Sequence, residues 1–321
     1  AGTLFVTEKD LHFVTDDRYE EQIKTELYNL PNLHTHITRD VWNYLKEGKI
    51  FPRNASIAFE ADRITYADAV QIRNQLRPMK FKPSPKIVER YTMPKSPEEL
   101  ANIQTACDVA IKVYEDLLKM IKPGITERDI ELEISYQSRK LGSEGDPFPI
   151  IVVSGNRGAI VHGRATDKKI KLGDLIIMDF GCIINGFMSD ITRTIAVGKA
   201  TKDQKNLYKI VNSAKEAAIE YVRPAMNGKT LDEVARNIIK KEEFGEFFQH
   251  SLGHGIGLEA HEMPTITFRK DDQMIPEGCV LAIEPGVYLP DKYGVRIEDN
   301  ILVTRTGGVH LTTAPDELIV I

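Results

Sequence analysis

Apolar and polar positions alternate in short runs at the start of the chain. Three of these runs, at Leu4–Val6, His12–Thr15 and Ser56–Phe59, predict β-strands. Between them, Asp17–Tyr28 and Asp40–Lys46 have the spacing expected of helices. Strands that alternate with helices are typical of an α/β unit, so we expect residues 1–80 to fold as one.

Proline becomes dense between Pro78 and Pro97, where five prolines fall. A segment this rich in proline is expected to exclude a helix and to act as a linker. The chain has 321 residues, and domains usually contain about 100–200. We therefore predict two domains, residues 1–88 and 89–321.

Beyond the linker, capping residues and apolar periodicity predict two pairs of helices. The first pair has N-caps at Ser96 and Thr126, and the second pair begins near Gln204 and at Thr230. The first helix is expected to end at Lys122-Pro123-Gly124 and the third at Arg223-Pro224. Each pair precedes a strand-rich region, so residues 95–198 and 201–321 are expected to form two related helix–helix–sheet halves. The match between them is loose, and coincidence is the competing explanation.

The apolar run from Ile176 to Thr194 contains Asn185-Gly186, the strongest local signal for a β-hairpin. With these two residues in the turn, the expected pairs are Ile184/Phe187, Ile183/Met188 and Asp179/Thr192. Because side chains alternate between faces, Asp179 and Asp190 then share one face, with Cα atoms about 7–8 Å apart. Single aspartates usually cap strand ends or face solvent, but two on one face of an apolar hairpin repel each other unless a cation lies between them.

Histidines concentrate in a later segment, where His250, His254 and His261 fall within twelve residues although the chain has eight histidines in all. Glycines flank His254, and they would let the backbone approach a ligand closely. A core histidine that bonds a carbonyl is the ordinary explanation for one histidine. That explanation is weaker for three together.

Two strand-like segments near the end carry acidic residues. Glu284 ends an apolar run just before Pro285-Gly286, and Arg296 and Glu298 alternate with apolar residues in the next run. Each glutamate alone is typical of an exposed strand end. Several of them within runs that are otherwise apolar favour a functional site.

The composition restricts the class of protein. Hydrophobic residues make up 42% and charged residues 28%, as in globular proteins with a core. The net charge of −5 disfavours a nucleic-acid or anionic-membrane partner, and no run of about 18 apolar residues could span a membrane. The three cysteines, Cys107, Cys182 and Cys279, are far apart and form no C-x-x-C, so we expect no disulfide framework and a cytoplasmic location.

Taken together, these segments resemble the pita-bread metallopeptidases, which include methionine aminopeptidases, Xaa-Pro aminopeptidases and prolidases. The resemblance covers residues 95–321 and rests on Asp179-Phe180-Gly181, Ser189–Thr194, Gly253–Gly257, His261-Glu262-Met263-Pro264, Ile283–Gly286 and Arg296-Ile297-Glu298. It implies an α+β fold, with a pita-bread catalytic domain built of pseudo-twofold helix–helix–sheet halves. Residues 1–88 resemble the creatinase-like α/β N-terminal domain of proline-specific members, notably at Val14–Tyr19. We expect a truncated version that lacks the first strand and helix.

The resemblance also implies a site. Its metal ligands would be Asp179, Asp190, His254, Glu284 and Glu298, with Asp190 and Glu298 bridging two divalent ions. A donor set of oxygens and one imidazole suits Mn²⁺ first, with Co²⁺, Zn²⁺ or Fe²⁺ as alternatives. A water activated by both metals would be the nucleophile, and Glu284, His162 and His261 would be catalytic. The substrate would be bound by His162, His250, His261 and Arg296.

The extra N-terminal domain favours the proline-specific branch. The first hypothesis is an Xaa-Pro aminopeptidase that acts on peptides with proline at the second position and forms a homodimer. A prolidase, which cleaves dipeptides, is the near alternative. A non-enzymatic pita-bread scaffold and a metal-free creatinase-like hydrolase are more distant, because all five ligand positions are filled here.

Overall fold

The structure, a computed structural model, describes residues 2–47, 50–270, 273–315 and 317–321. It divides into two units, Ala1–Val88 and Glu89–Ile321. Among the described residues, no helix has both the length and the apolar character needed to cross a membrane.

The first unit mixes short strands and helices. Strands β1 (Gly2–Val6) and β2 (Leu11–Thr15) are antiparallel, and β2 is parallel to β3 (Leu33–Ile37). A second parallel pair joins β4 (Ser56–Phe59) to β5 (Lys80–Pro83). The helices are α1 (Ile23–Glu26), α2 (Val41–Lys46) and α3 (Tyr66–Gln75), with a 3₁₀ turn at Asp17–Tyr19. Their apolar faces enclose a small core around Val14, Leu45 and Leu76.

Two expectations for this part of the chain were wrong. The predicted helix Asp17–Tyr28 is only a 3₁₀ turn and the single turn α1. Asp16 caps the 3₁₀ turn, because its carboxylate accepts a hydrogen bond from the backbone N–H of Arg18 at 3.0 Å. The backbone is extended again at Leu27, which ends α1. The proline-rich segment was expected to exclude a helix, but it contains the one-turn helix α4 (Glu89–Thr92). Strand β5 also lies in this segment.

Among its described residues, the second unit has four long helices. They are α5 (Pro97–Met120), α6 (Glu127–Lys140), α7 (Lys202–Tyr221) and α8 (Gly228–Lys241). Ser96 and Thr126 form capping boxes as their sequence predicts, each with the acidic residue three positions on. The predicted start of α8 at Thr230 is wrong. The side chain of Asn227 caps the helix by accepting from the N–H of Lys229 at 2.8 Å, so Thr230 lies inside the first turn.

The strands that the structure describes in this unit form two sheets and two hairpins. The first sheet has the order β10-β7-β6, and the second has the order β12-β11-β13-β16-β17. The first comprises β6 (Ile151–Ser154), β7 (Leu175–Phe180) and β10 (Ile191–Ala196), with the hairpin β8 (Ile183–Ile184) and β9 (Phe187–Met188) between its last two strands. The second comprises β11 (Gly253–Gly255), β12 (Glu262–Ile266), β13 (Val280–Ile283), β16 (Asp299–Thr304) and β17 (Gly307–His310). The remaining elements are the hairpin β14 (Gly286–Leu289) and β15 (Tyr293–Arg296), and 3₁₀ turns at Gly155–Ala159 and Gly245–Phe247.

Each sheet is covered by one pair of helices. In α5, the buried positions Ala106, Ala110, Val113 and Leu117 recur every three or four residues, so they form one stripe that packs with α6 on the first sheet. Helices α7 and α8 pack in the same way on the second sheet, around Leu231. The α+β fold with two helix–helix–sheet halves is therefore as predicted.

The hairpin register is also confirmed. Ile184 pairs with Phe187, Ile183 with Met188 and Asp179 with Thr192. Asn185 and Gly186 have φ values of 49° and 79°, the left-handed conformation that a type I′ turn requires of both residues. The turn chemistry therefore sets which face of the hairpin carries the aspartates.

Candidate metal centre

The five predicted ligands lie in or beside strands of the second unit. They are Asp179 in β7, Asp190 just before β10, His254 in β11, Glu284 just after β13 and Glu298 just before β16. Three of them meet most closely: Asp190, His254 and Glu298 each offer one ligand atom within 4.8 Å of the other two. Glu284 joins this group, because its Oε1 lies 3.7 Å from His254 Nε2. Residues distant in sequence thus converge on one point between the two halves.

Two oxygen atoms at this point have no hydrogen-bond partner among the described residues. They are Oδ1 of Asp190 and Oε1 of Glu298, which belong to side chains with 4% and 1% exposure. Burying an unpaired carboxylate oxygen costs several kcal/mol or more, so such atoms are expected to bind a cation. The donors are carboxylate oxygens and one imidazole, which fits divalent Mn, Co, Zn or Fe.

The acidic groups raise one another's pKa. Burial raises the pKa of Asp190 well above its usual value, and the nearby charge of Glu298 adds to the shift. Burial likewise raises the pKa of Glu284 and of Glu298. Three carboxyl groups so close cannot all be ionised without positive charge between them. The electrostatics of the site therefore favour a cation as strongly as its geometry does.

His254 is held in the form that a metal ligand needs. Its Nδ1 lies 3.1 Å from the carbonyl oxygen of Gly255, which can only accept, so Nδ1 carries the proton and Nε2 presents a lone pair. Burial lowers the pKa of His254 to about 3, so the ring is neutral. The glycines beside it are required by close packing between strands rather than by the approach of a ligand. A Cβ at Gly253, for example, would lie 1.9 Å from the carbonyl oxygen of Ala282.

Arg296 compensates one carboxylate of the group. Its Nη2 forms an ion pair with Asp179, and Nη1 donates to the hydroxyl of Tyr288 at 2.8 Å. Further donor groups reach Thr192 Oγ1 at 3.3 Å and the carbonyl oxygen of Val161 at 3.2 Å. Since a guanidinium has five N–H groups, at most one remains for a substrate.

Residues without a predicted role support the ligands. Thr192 Oγ1 donates to Glu298 Oε2 at 2.6 Å, and Asn300 Oδ1 accepts from the backbone N–H of Asp190 at 2.9 Å. Tyr288 lies in the run after Glu284 and joins Arg296 to His250. Thr192 and Asn300 lie within or beside the sequence motifs, and this position was the feature of the sequence that could have indicated that they belong to the site. Nothing in the sequence indicated which ligand each would contact.

A cavity of about 670 Å³ opens onto this centre. Its lining includes four predicted ligands and the four predicted substrate residues: Asp179, Asp190, His254, Glu284, His162, His250, His261 and Arg296. Glu298 lies deeper. His162 and His261 make no hydrogen bond with any residue the structure describes, so their ring nitrogens are free to meet a bound molecule.

His250 is engaged on both sides of its ring. Its Nδ1 donates to the carbonyl oxygen of Ser251 at 2.8 Å, so Nε2 must accept from the hydroxyl of Tyr288, also at 2.8 Å. Burial lowers the pKa of His250 to about 3, and the charge of Arg296 adds to the shift. In this geometry His250 presents ring surface to the cavity, and it has no free donor.

The chain is similar in sequence and in fold to known proteins. Residues 101–305 match the sequence pattern of metallopeptidase family M24. The chain belongs to this family. The family is that of the pita-bread peptidases, so the resemblance predicted from the motifs is confirmed, and the chain is a peptidase of a class that uses divalent metal ions.

Several M24 relatives are similar over most of their length. The chain is 39% identical over 256 residues to the Xaa-Pro dipeptidase of Pyrococcus furiosus, which covers 80% of this chain and 73% of the relative. Among solved structures, the Xaa-Pro dipeptidase from Bacillus anthracis superposes with a TM-score of 0.94 at 35% identity, covering 100% of this chain and 89% of the other. The X-Pro aminopeptidase from Thermotoga maritima gives a TM-score of 0.90 at 35% identity, covering 100% and 88%.

Proposed function

We propose that this M24 peptidase hydrolyses the bond between an N-terminal residue and proline with the help of two divalent metal ions. Mn²⁺ is the preferred candidate. Asp179, Asp190, His254, Glu284 and Glu298 would hold them. The observation that supports this best is that, at this centre, two buried oxygens without a hydrogen-bond partner among the described residues belong to Asp190 and Glu298, the two residues expected to bridge. When bound, such ions supply the Lewis acidity that makes water a nucleophile at neutral pH.

The surrounding side chains would handle protons and developing charge. Glu284 lines the cavity 3.7 Å from His254, with its side chain 20% exposed, and would accept a proton from water and return it to the leaving amine. His162 and His261 line the same cavity, and their ring nitrogens form no hydrogen bond within the described part of the chain. They would donate to the scissile carbonyl oxygen as it gains negative charge.

Proline selectivity would follow from the cavity wall. Proline has no amide N–H and fixes φ near −65°, so a site for it offers an apolar surface for the ring rather than an acceptor for an N–H. Phe148, Pro149, Ile151 and Val161 supply such a surface. His250 adds the face of its ring. Relatives of this chain are named Xaa-Pro dipeptidase and X-Pro aminopeptidase, which supports this preference.

The length of the substrate separates two candidates. The sequence favours the aminopeptidase, but one observation favours a dipeptidase. Arg164 and Arg269 line the cavity, and neither forms an ion pair within the described ranges of the chain. In a dipeptide, the carboxylate follows proline directly and would lie in this cavity near them.

The deciding experiment compares turnover of Xaa-Pro-Yaa, Xaa-Pro and Xaa-Ala-Yaa with Mn²⁺ and with a chelator. An aminopeptidase cleaves the tripeptide at the Xaa-Pro bond, and a dipeptidase cleaves only the dipeptide. Arg164→Gln and Arg269→Gln should raise KM for the dipeptide more than for the tripeptide if the carboxylate lies there. Equal kcat/KM on the alanine and proline tripeptides would refute proline selectivity, and no turnover of any peptide with metal present would favour a scaffold.

A further inference from the structure

One buried ion pair lies beside the cavity and takes no part in the proposed chemistry. Lys95 Nζ pairs with Glu262 Oε1, and the two side chains are 2% and 6% exposed. The same ammonium donates to the carbonyl oxygens of Thr92 at 2.7 Å and Met93 at 3.0 Å, so all its N–H groups have acceptors. A buried ion pair is often no more stabilising than an apolar pair of the same size, so stability alone explains this one poorly.

Both partners are attached to strands that carry the site. The backbone N–H of Lys95 donates to the carbonyl oxygen of Gly278 at 2.8 Å, next to β13, which leads to Glu284. Glu262 is the first residue of β12 and pairs with Gly255, the neighbour of His254. The ion pair thus connects the segment before α5 to β12, which pairs with the His254 strand β11, and to the start of β13, which leads to Glu284.

The segment between Gly257 and Glu262 carries His261 and is held at both ends by this pair. A Cβ at Gly257 would lie 2.7 Å from Lys95 Cε and 2.9 Å from both carboxylate oxygens of Glu262, so the pair packs directly on the glycine. The carbonyl oxygen of Gly257 also accepts from the N–H of Met188 at 2.8 Å. The segment is therefore fixed by contacts at its ends.

His261 itself has no such support. Its ring lies 4.2 Å from that of His254, centroid to centroid, and forms no hydrogen bond with any described residue. The direction of the ring is consequently set by the backbone that carries it. A change of about 1 Å in a catalytic group can cost roughly 10²-fold in rate. Whatever holds the segment therefore controls how well His261 can act.

We infer that Lys95 is a positioning residue for the reaction: through Glu262 it fixes the segment that presents His261 to the scissile bond. This inference rests on the proposed role of His261 as a donor to the developing oxyanion. Lys95 touches neither substrate nor metal ligands in this arrangement. We therefore expect its effect on kcat to pass through His261.

A double-mutant cycle tests the inference on the metal-loaded, full-length chain. His261→Ala should lower kcat roughly 10²–10³-fold, the usual loss for an oxyanion donor. Lys95→Met should lower kcat roughly 10–10²-fold with unchanged metal content, and Lys95→Arg should recover most of that loss. In the His261→Ala background, Lys95→Met should cause no further fall in kcat, because the group it positions is gone.

Two further variants complete the test. Lys112→Met breaks an exposed ion pair with Asp116 on α5 and should leave kcat unchanged. Glu262→Gln keeps the shape of the side chain and is put through the same cycle, so that the test remains decisive even if Lys95→Met folds poorly. Additive losses in the double variants, or loss of metal from Lys95→Met, would overturn the inference. If His261→Ala alone kept full kcat, the proposed role of His261 would be wrong, and the inference would fail with it. The single variant therefore tests the role of His261 separately from its coupling to Lys95.

Discussion

Replacing His250 by glutamine should make the protein less sensitive to acid. In the folded chain His250 is neutral, because burial and then the charge of Arg296 lower its pKa from 6.5 to about 3. In the unfolded chain the ring is free to take up a proton near pH 6.5. Glutamine can replace both hydrogen bonds of the ring, one to Ser251 and one from Tyr288, but it does not titrate.

The sign follows from the pKa difference. Between pH 6.5 and 3 the unfolded state binds the proton and the folded state does not, so stability falls as the pH falls through this range. The contribution is fully present above pH 6.5. Each pH unit below 6.5 lowers the free energy of unfolding by about 1.36 kcal/mol. Since pH 5.0 lies about 1.5 units below 6.5, this one histidine accounts for a loss of about 2 kcal/mol between pH 7.5 and pH 5.0.

Urea unfolding with a chelator present, at pH 7.5 and 5.0, measures this loss without a contribution from bound metal. The wild-type protein should lose about 2 kcal/mol more than His250→Gln. His310→Gln serves as a control of opposite sign, because Glu216 raises the pKa of His310. Its contribution is present below the unfolded pKa and is lost as the pH rises through the folded one. Equal pH dependence in wild type and His250→Gln would refute the neutral, doubly bonded ring.

Three other predictions concern the metal centre and assembly. Asp190→Ala should empty the site, because Asp190 is proposed to bridge both ions; metal analysis that finds full occupancy would contradict the assignment. Thr192→Val removes the hydrogen bond to Glu298 Oε2 and should weaken metal binding roughly 10–10²-fold, as measured by competition with a fluorescent chelator. The matched control is Thr105→Val on the exposed face of α5, which should leave metal binding unchanged. The chain should also form a homodimer, which light scattering at micromolar concentration would show; a monomer mass would exclude it.

Local chemistry explains which parts of the fold the sequence predicted well. The hairpin register followed from Asn185-Gly186, because two residues with positive φ determine the turn and the turn determines every pair after it. The capping boxes at Ser96 and Thr126 are equally local. The start of α8 was misplaced because Asn227 and Thr230 are both acceptable N-caps, and only the tertiary structure selects between them.

The supporting residues of the site escaped prediction because their partners are remote. Thr192 and Glu298 are 106 positions apart, and Lys95 and Glu262 are 167 apart. Each residue type is common at its position for other reasons: threonine in strands, and lysine before a helix. Spacing and periodicity carry no information about such pairs. Motifs could therefore indicate the candidate ligands, but not the side chains that contact them.

Two neighbouring carboxylates show how the site differs from an ordinary buried ion pair. Glu298 and Asp299 are each 1% exposed, yet they point to opposite faces, as successive residues of an extended chain do. Asp299 pairs with Arg193 and Lys215, and these cations hold its pKa below the usual value although burial alone would raise it. Glu298 faces other carboxylates, its pKa is raised, and one of its oxygens has no partner among the described residues. Burial is the same for both, so the difference lies in charge compensation: Arg193 and Lys215 neutralise Asp299, whereas Glu298 has a partner of this kind only if it binds the proposed metal ions.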